Sequence, residues 1–508
     1  MSDESMPAIE RKTYPIDHLA NKLATGIGAG RRLGLMTARK SGDGDPLVLV
    51  ALLIDLVTGG LRLIEAPMRP GDNTYSSVTA RVPQAHWFER SIRDFFGLTP
   101  AGHPRLKSVL LHEAWPQGFY PLAATSPQAP LRDTQARAYD FLQVKGEGVY
   151  EIPVGPIHAG IIEPGHFRFS CLGETIQNLE IRLGYQHRGI EERLQRTPWR
   201  RIPPFAEAIS GDTTVGNALA HALAIEQLTG VAVPPAAAAL RAAALEIERI
   251  ASHIGDLGGL AGDIGFLGPA ALFARQRGRA LGLGERLTGS RFQSAFIRPG
   301  GVTRPLSEEM RRSILADVIA FAADFDEARR LLTDEPGAVE RMENVGVVRP
   351  SLARDFGLVG PAGRASGQGY DVRAALRQPP YDVLDWTPAG SETGDVLARA
   401  MIRIQEVATS FDLLHQLLST PLVDFEIMTT LPDTLPANAV GAGVVEAWRG
   451  ELIHLAITDA NGGLLRYAVK DPSFNNWTGL AIAARLELVA DFPLCNKSFG
   501  LSYSGNDL

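Results

Sequence analysis

The sequence is poor in cysteine, in clustered positive charge and in long apolar runs. Only Cys171 and Cys495 occur among 508 residues, too few for a disulfide framework or for a metal site with about four N or S ligands. The formal net charge of -7, with no stripe of Lys and Arg, argues against a nucleic-acid partner. The longest apolar run, residues 47–54, is far below the roughly 20 residues of a membrane span. Any membrane association is therefore expected to come through partner subunits.

What the sequence does contain predicts a globular protein of more than one domain, with 45% hydrophobic and 21% charged residues. Residues 1–125 read as an α+β domain, with strand-like runs at 33–36 and 47–54 on either side of a turn. Residues 126–148 carry Pro, Ser and Gly and are interpreted as a linker. Residues 149–508 are predicted to be mostly helical, with a small β hairpin region near its start. The acidic, polar N-terminus is unlike a secretory leader and favours a cytoplasmic protein.

Two helices are predicted around a turn at residues 209–214. Asp212 or Thr213 can accept hydrogen bonds from the first turn of a helix over 213–228. A second helix is expected over 235–257, where Glu246, Arg249 and His253 recur at three- or four-residue steps. The simplest interpretation of that stripe is a set of ion pairs that hold helices together.

Seven short motifs follow one another in the second domain. They are Gly155-Pro156-Ile157-His158, Tyr185-Gln186-His187-Arg188-Gly189-Ile190-Glu191, Leu223-Ala224-Ile225-Glu226, Glu248-Arg249-Ile250, Arg298-Pro299-Gly300-Gly301, Gly363-Arg364-Ala365-Ser366-Gly367 and Gly394-Asp395-Val396-Leu397-Ala398-Arg399. In this order they resemble the large subunit of membrane-bound, energy-converting nickel-iron hydrogenases of the formate hydrogenlyase type. The same motifs resemble the related 49 kDa quinone-site subunit of complex I. The helix over 87–98 and the turn Gly102-His103-Pro104 resemble the 30 kDa subunit, which is fused ahead of the large subunit in such hydrogenases.

The resemblance implies four metal-binding cysteines that this chain lacks. In hydrogenase members two turns supply thiolates to nickel and iron, and the corresponding positions here are Ser210, Thr213, Ser473 and Asn476. A hydroxyl or amide does not ionise near neutral pH and is a weak donor to nickel. The expectation is that this chain binds no nickel-iron centre and no other cofactor of its own, and that its C-terminal tail is retained.

The resemblance also implies a quinone pocket and a proton relay. His158 matches the family's quinone-binding histidine, but the tyrosine position falls on Gly211, so a quinone remains open. Four further residues match cavity or proton-relay positions: His187, Glu191, Arg364 and Asp371. Each of them has a structural alternative as an ion pair, and His158 has one as a cap for backbone groups.

The main hypothesis is a metal-free hydrogenase-like large subunit of a membrane-associated, complex I-like oxidoreductase. The resemblance implies three partners: an iron-sulfur small subunit like the 20 kDa subunit of complex I, a ferredoxin-like iron-sulfur subunit, and antiporter-like membrane subunits. The expected location is the cytoplasmic side of the inner membrane. A non-catalytic scaffold or coupling subunit is the alternative, so whether the chain is enzymatic is open. An active nickel-iron hydrogenase subunit conflicts with the missing cysteines.

Overall fold

The computed structural model describes residues 9–41, 46–123, 138–160, 162–421 and 426–508. Residues 126–137 of the predicted linker lie outside this described part of the chain. The remaining elements follow the predicted fold class, with an α+β region first and a mostly helical region after it. The domain boundaries themselves stay predictions.

The N-terminal region is built around a four-stranded sheet. The elements of the region are β1 (Glu10–Thr13), α1 (Leu19–Gly28), β2 (Arg31–Arg39), β3 (Val48–Asp55), β4 (Leu61–Pro67), β5 (Thr74–Ser76), α2 (His86–Phe96) and β6 (Thr99–Ala101). The strand order of the four-stranded sheet is β1-β4-β3-β2; β1 is parallel to β4 and the other pairs are antiparallel. β3 is almost entirely buried, because the sheet is covered on both faces and its apolar run therefore does not alternate with polar residues.

The second region starts with a small antiparallel sheet and continues into helices. These elements are β7 (Val149–Val154), β8 (His166–Leu172), β9 (Thr175–Arg182), α3 (Ile190–Arg196), α4 (Pro203–Glu207), α5 (Thr214–Thr229), α6 (Pro235–Asp263), α7 (Leu267–Thr288), β10 (Ile297–Arg298), β11 (Gly301–Val302), α8 (Glu308–Thr333), α9 (Pro336–Met342), α10 (Pro350–Asp355), α11 (Gly360–Ala365), α12 (Val372–Ala375) and α13 (Val396–Ser419). The long helices α6, α7, α8 and α13 pack against one another as a bundle. The alanines of α6 let its neighbours approach closely.

The last part of the chain adds a sheet that the motif analysis did not identify. Its elements are β12 (Val440–Ala447), β13 (Gly450–Thr458), β14 (Leu464–Lys470), α14 (Ser473–Ala483), α15 (Phe492–Phe499) and α16 (Tyr503–Asp507). The three strands form an antiparallel sheet that packs on α5.

A buried ion pair and a buried hydrogen bond join the N-terminal sheet to this last sheet. Arg32 on β2 pairs with Glu451 on β13 at 3.2 Å, and Arg466 on β14 donates to the Thr37 hydroxyl of β2 at 2.8 Å. Both arginines are less than a tenth exposed, so the two regions share one interior. No helix in the described ranges has the length and apolar character required to cross a bilayer.

Candidate functional site

The turn before α5 is held in place by a residue from another helix. Thr213 is the N-cap residue, as predicted, but its side chain does not cap the helix. Glu248 on α6 does so instead: its two carboxylate oxygens accept from the N–H groups of Val215 at 2.6 Å and Gly216 at 3.1 Å. A carboxylate at a helix N-terminus satisfies otherwise unpaired donors. The hydroxyl of Thr213 is thereby left for other contacts.

Three serine hydroxyls meet beside this turn. Ser210 Oγ lies 3.1 Å from Ser502 Oγ, and the Ser502 backbone N–H donates to Ser473 Oγ at 2.9 Å. All three residues are at most 2% exposed. The two segments that the sequence analysis paired, near 210 and near 473, therefore converge at one buried place, with Ser502 between them.

The other two proposed ligand positions have different surroundings. Asn476 exchanges two hydrogen bonds with the backbone of Val359, at 3.0 and 3.1 Å, and so points to another partner. Thr213 Oγ1 donates to Asp212 at 3.1 Å and accepts from Arg449 at 3.1 Å. The third hydroxyl of the serine group, Ser502 Oγ, also accepts from the N–H of Gly505 at 2.9 Å.

This set of donors does not fit a nickel-iron centre. Hydroxyl and amide oxygens stay neutral near pH 7, whereas nickel-iron chemistry uses soft, ionised thiolates. The hydroxyls are already engaged in hydrogen bonds with one another and with backbone groups. Within the described ranges, no group of three or more His, Cys, Asp or Glu is arranged to hold a metal ion.

A guanidinium supplies positive charge at this place. Arg449 donates to both oxygens of Asp212 at 2.7 Å and to the Gly500 carbonyl at 2.5 Å. Its guanidinium also stacks on the Trp448 ring, 3.8 Å from the ring centroid. Because a bidentate arginine pair is directional, Arg449 ties the turn at 212–213 to the segment that leads into α16.

An open cleft of about 430 Å³ begins at Asp212 and runs along α6 and α7. Its walls include Ser252, Asp256, Arg277 and Trp448. Gly258 and Gly259 of α6 also line it. The cleft is large enough for a small molecule or for a loop of a partner.

A fully buried ion network lies behind this cleft, across Trp448. His253 on α6 contacts the Trp448 ring at a centroid distance of 6.0 Å and hydrogen-bonds Glu406 of α13 at 2.8 Å. Arg364 donates to Glu406 at 2.6 and 2.9 Å and to Glu446 of β12 at 2.7 Å. The rest of the network is formed by Glu246, Arg249, Asp371 and Arg373.

The charges of the network stabilise one another electrostatically. Burial alone would raise the pKa of Glu406, but Arg364 and His253 outweigh it and hold that pKa well below its usual value. Burial would likewise lower the pKa of Arg364, and the carboxylates of Glu406 and Glu446 raise it instead. The Arg364–Glu406 pair is therefore charged inside the protein, which is favourable only while both members keep their partners.

The structure brings together only some of the sequence-predicted site residues. Arg364 and Asp371 are neighbours, with 3.5 Å between Arg364 Nη1 and Asp371 Oδ2. Glu191 pairs instead with Arg466 at 2.7 Å. His187 hydrogen-bonds the Asp507 carbonyl at 2.7 Å. Their roles as relay groups stay predictions.

The two predicted quinone-pocket positions are also separate features. His158 bonds the Gly165 carbonyl of its own hairpin at 3.0 Å, which is the backbone-capping role considered as its alternative. Gly211 is exposed, and a Cβ built there would meet no atom within 4 Å. There is consequently space for a side chain at 211, but this chain supplies none.

Several residues of the site were not identified from the sequence. Glu163 accepts from the N–H groups of Tyr503 at 3.2 Å and Ser504 at 3.4 Å. Others are Ser502, Glu406, Glu446 and Arg449. The available signal was the placement of Glu446 and Glu451 inside apolar strand-like runs, where a charge is costly unless it is paired.

A second buried chain of polar groups starts at the same turn. Asn217 donates to the Thr213 carbonyl at 2.9 Å, so its Oδ1 is left to accept from His454 Nε2 at 3.1 Å. His454 Nδ1 then accepts from the Tyr467 hydroxyl at 2.9 Å. The Tyr467 oxygen in turn accepts from His221 Nδ1 at 2.8 Å. Burial lowers the pKa of both His221 and His454, so both imidazoles are neutral in the folded protein near pH 7.

These neutral histidines predict a loss of stability in acid. Burial lowers the pKa of His221 from 6.5 to about 3, so below about pH 6.5 the unfolded chain binds a proton that the folded chain does not. Stability is then lost as the pH falls from about 6.5 toward 3, by about 2 kcal/mol at pH 5 for this residue. Denaturant unfolding of wild type and His221→Gln across this pH range measures the difference.

The control for this prediction is the exposed His415, since His415→Gln should keep the wild-type pH dependence. The prediction fails if wild type and His221→Gln lose stability in parallel between pH 7 and pH 5.

Comparisons with known proteins agree with these observations. The family "Respiratory-chain NADH dehydrogenase, 30 Kd subunit" matches residues 18–132. The family "Respiratory-chain NADH dehydrogenase, 49 Kd subunit" matches residues 263–434. Formate hydrogenlyase subunit 5 of Escherichia coli (strain K12) is 33% identical over 455 residues, which cover 85% of this chain and 77% of that protein. Hydrogenase-4 component G of the same organism is 30% identical over 88% of this chain and 78% of that protein.

A solved structure shows a similar fold. A chain of the membrane-bound sulfane sulfur reductase, an archaeal respiratory membrane complex, superposes with a TM-score of 0.67 at 24% identity. The match covers 71% of this chain and 99% of that chain.

Proposed function

This chain belongs to the family of large subunits shared by hydrogenase-related complexes and complex I, with 30 kDa-like and 49 kDa-like regions fused. From that premise we propose that it works in a membrane-associated, complex I-like oxidoreductase without a nickel-iron centre. Its role there is to form the cavity where electrons from an iron-sulfur subunit meet an acceptor or a protonatable network. The names of its relatives, a formate hydrogenlyase subunit and a hydrogenase-4 component, support this setting.

The observation that carries the proposal is the convergence of Ser210, Ser473 and Ser502. Two segments distant in sequence meet at a buried place, as a shared metal would require, yet they present hydroxyls and the Arg449–Asp212 pair. The fold is retained while the electron-rich donors are replaced. A nickel-iron reaction therefore has no part in the proposed function.

The remaining chemistry is the holding and movement of protons by this chain's own residues. The cleft at Asp212 and Trp448 is open to solvent, and the ion network of Arg364, Glu406 and Glu446 lies immediately behind it. A change of charge in the cleft would act on that network through a low-dielectric interior. We propose this as the route by which electron transfer is coupled to proton or ion movement.

The proposed partners follow from the family. They are a 20 kDa-like iron-sulfur small subunit, a ferredoxin-like iron-sulfur subunit and antiporter-like membrane subunits, which would place the chain on the cytoplasmic side of the inner membrane. A quinone is one candidate acceptor, although His158 and Gly211 do not form the family's binding pair. We propose the iron-sulfur subunit as the neighbour of the cleft.

The test is metal analysis of the intact complex, isolated through a tag on this chain. Nickel is expected far below one atom per chain, whereas iron should be present from the iron-sulfur partners. The formate hydrogenlyase complex of Escherichia coli, treated identically, is the positive control. One nickel per copy of this chain would contradict the proposal.

A scaffold function is the alternative, and the hydrogen bonding of His158 favours it. His158 Nε2 is already hydrogen-bonded to the Gly165 carbonyl of its own hairpin. His158→Ala and Asp212→Asn in the intact complex separate the two hypotheses. Loss of redox turnover with normal assembly supports the cavity function, and unchanged turnover supports the scaffold.

A further inference from the structure

We propose that Glu446 is a proton-binding site, a buried carboxyl that takes up and releases one proton near neutral pH while its neighbours in the network stay charged. This inference rests on the proposed function, because it names the residue that would carry the coupled proton. It stands on the contacts of the network and on its balance of charge.

Glu446 has the weakest set of donors among the network's glutamates. Its Oε1 accepts from Arg364 Nη1 at 2.7 Å, and its Oε2 accepts from the Val372 N–H at 2.9 Å. Arg249 reaches only the Glu446 backbone carbonyl, at 2.6 Å. One cationic contact and one neutral contact therefore hold this carboxylate.

The other two glutamates are better satisfied. Glu406 receives two N–H groups of Arg364 and the ring of His253. Glu246 receives Arg249 and Arg373 at 3.1 and 2.9 Å, and its remaining donors are the hydroxyls of Tyr381 and Ser410, both at 2.6 Å. Because charge-assisted donors stabilise the ionised form, these two carboxylates stay ionised more readily than Glu446.

Two other carboxylates, those of Asp371 and Glu451, also lie near Glu446 and disfavour its ionised form. Asp371 Oδ2 lies 3.5 Å from the same Arg364 nitrogen that Glu446 uses, so two carboxylates share one donor. Glu451 is its direct cross-strand partner on β13, and side chains of such a pair project to the same face. Glu451 is itself bound by Arg32 and Lys470 and by the Tyr370 hydroxyl.

Counting charges gives the same conclusion. The network contains four carboxylates and three guanidiniums, namely Glu246, Asp371, Glu406 and Glu446 against Arg249, Arg364 and Arg373. Burial lowers the pKa of His253, which therefore adds no positive charge near pH 7. Burial first, and Asp371 second, raise the pKa of Glu446 to about 7. One proton on Glu446 neutralises the set of four carboxylates and three guanidiniums.

The first test compares wild type with Glu446→Gln, a neutral residue of the same shape, using the full chain. The pKa of the Glu446 carboxyl is about 7 in the folded chain and 4.5 in the unfolded chain. Protonation of Glu446 therefore stabilises the folded chain at low pH, and this stabilisation is lost as the pH rises through 7. The folded-to-unfolded ratio of wild type, relative to the variant, should fall about 70-fold between pH 5 and pH 8. A constant ratio would overturn the proposal.

Glu406→Gln is the matched control, since it alters the other carboxylate of Arg364. The pKa of Glu406 is held low, so the advantage of wild type over this variant should not decline as the pH rises. A decline like that of Glu446→Gln would mean that the effect belongs to the network as a whole, which also overturns the assignment.

An infrared titration provides a second measurement that does not depend on the Glu446→Gln variant folding. The carboxyl of Glu446 should show the carbonyl stretch of a protonated glutamic acid that disappears between about pH 6 and pH 8. The experiment is done in a Glu248→Gln background, because burial raises the pKa of Glu248 to about 8. Absence of the signal overturns the proposal. Nickel in the intact complex would contradict the proposed function and leave this result unaffected.

Discussion

Replacing Arg364 by methionine is expected to destabilise the protein by about 4 kcal/mol or more. Arg364 is 1% exposed and binds Glu406, Glu446 and Asp371. Removing it leaves buried carboxylates without a cationic partner, and breaking one buried pair costs roughly 3–5 kcal/mol. Against a total stability of about 5–15 kcal/mol, this loss is a large fraction of the free energy that keeps the protein folded. Denaturant unfolding of the full chain measures the loss.

The matched control is Arg312→Met. Arg312 makes the same kind of pair, with Glu308 at 2.7 Å, but its side chain is 74% exposed, and such a pair contributes about 0.5 kcal/mol or less. Combining Arg364→Met with Glu406→Leu should restore part of the stability, since both members of a buried pair are then removed. An Arg364→Met protein as stable as Arg312→Met would show that the network does not hold the fold together.

Removing residues 501–508 is expected to have the second large effect. This segment contributes Leu501, Tyr503 and Leu508 to the interior, each stabilising by about 1.5–3 kcal/mol through burial. Asp507 also accepts from the N–H groups of Gly184 at 2.8 Å and Gln186 at 2.9 Å. Without it these partly buried donors lose their acceptors, at about 1 kcal/mol each. The shortened chain should therefore unfold or be cut readily by protease at temperatures where the full chain resists.

A milder variant separates the hydrogen bonds from the packing. Asp507→Asn keeps the shape but turns one acceptor into a donor, and it should cost about 2 kcal/mol. Asp412→Asn, at an exposed position of α13, should change stability by less than about 0.5 kcal/mol. If the chain without 501–508 melts with the full chain, the tail is not part of the core, and the expectation that it is retained loses its structural reason.

The family could be predicted from the sequence because its motifs are local properties. Seven motifs in a fixed order and two cysteines elsewhere need no contacts to be recognised, and the comparisons confirm the resemblance. Two of the long helices, α5 and α6, were also predictable, since apolar spacing and helix-end signals lie in neighbouring residues. α6 nevertheless continues to Asp263, past residue 257 where it was expected to end, because packing in the bundle outweighs helix propensity.

The sheet β12-β13-β14 was harder to recognise. Glu446, Glu451 and Lys470 interrupt its apolar runs, and all three are buried. Their cost is offset only by partners on other elements, such as Arg364 on α11 and Arg32 on β2. A charge that looks exposed in the sequence can thus be interior when its partner lies hundreds of residues away.

The sequence by itself determined the family, the absence of thiolates at the turns near 210 and 473 and the helices α5 and α6, because each depends on residue identity at short spacing. Only the tertiary structure decided that Ser502 stands between Ser210 and Ser473, that Glu248 caps α5 and that Arg449 binds Asp212. These contacts join residues 29 to 292 positions apart. Their geometry follows from how the bundle and the last sheet pack, which no local pattern encodes.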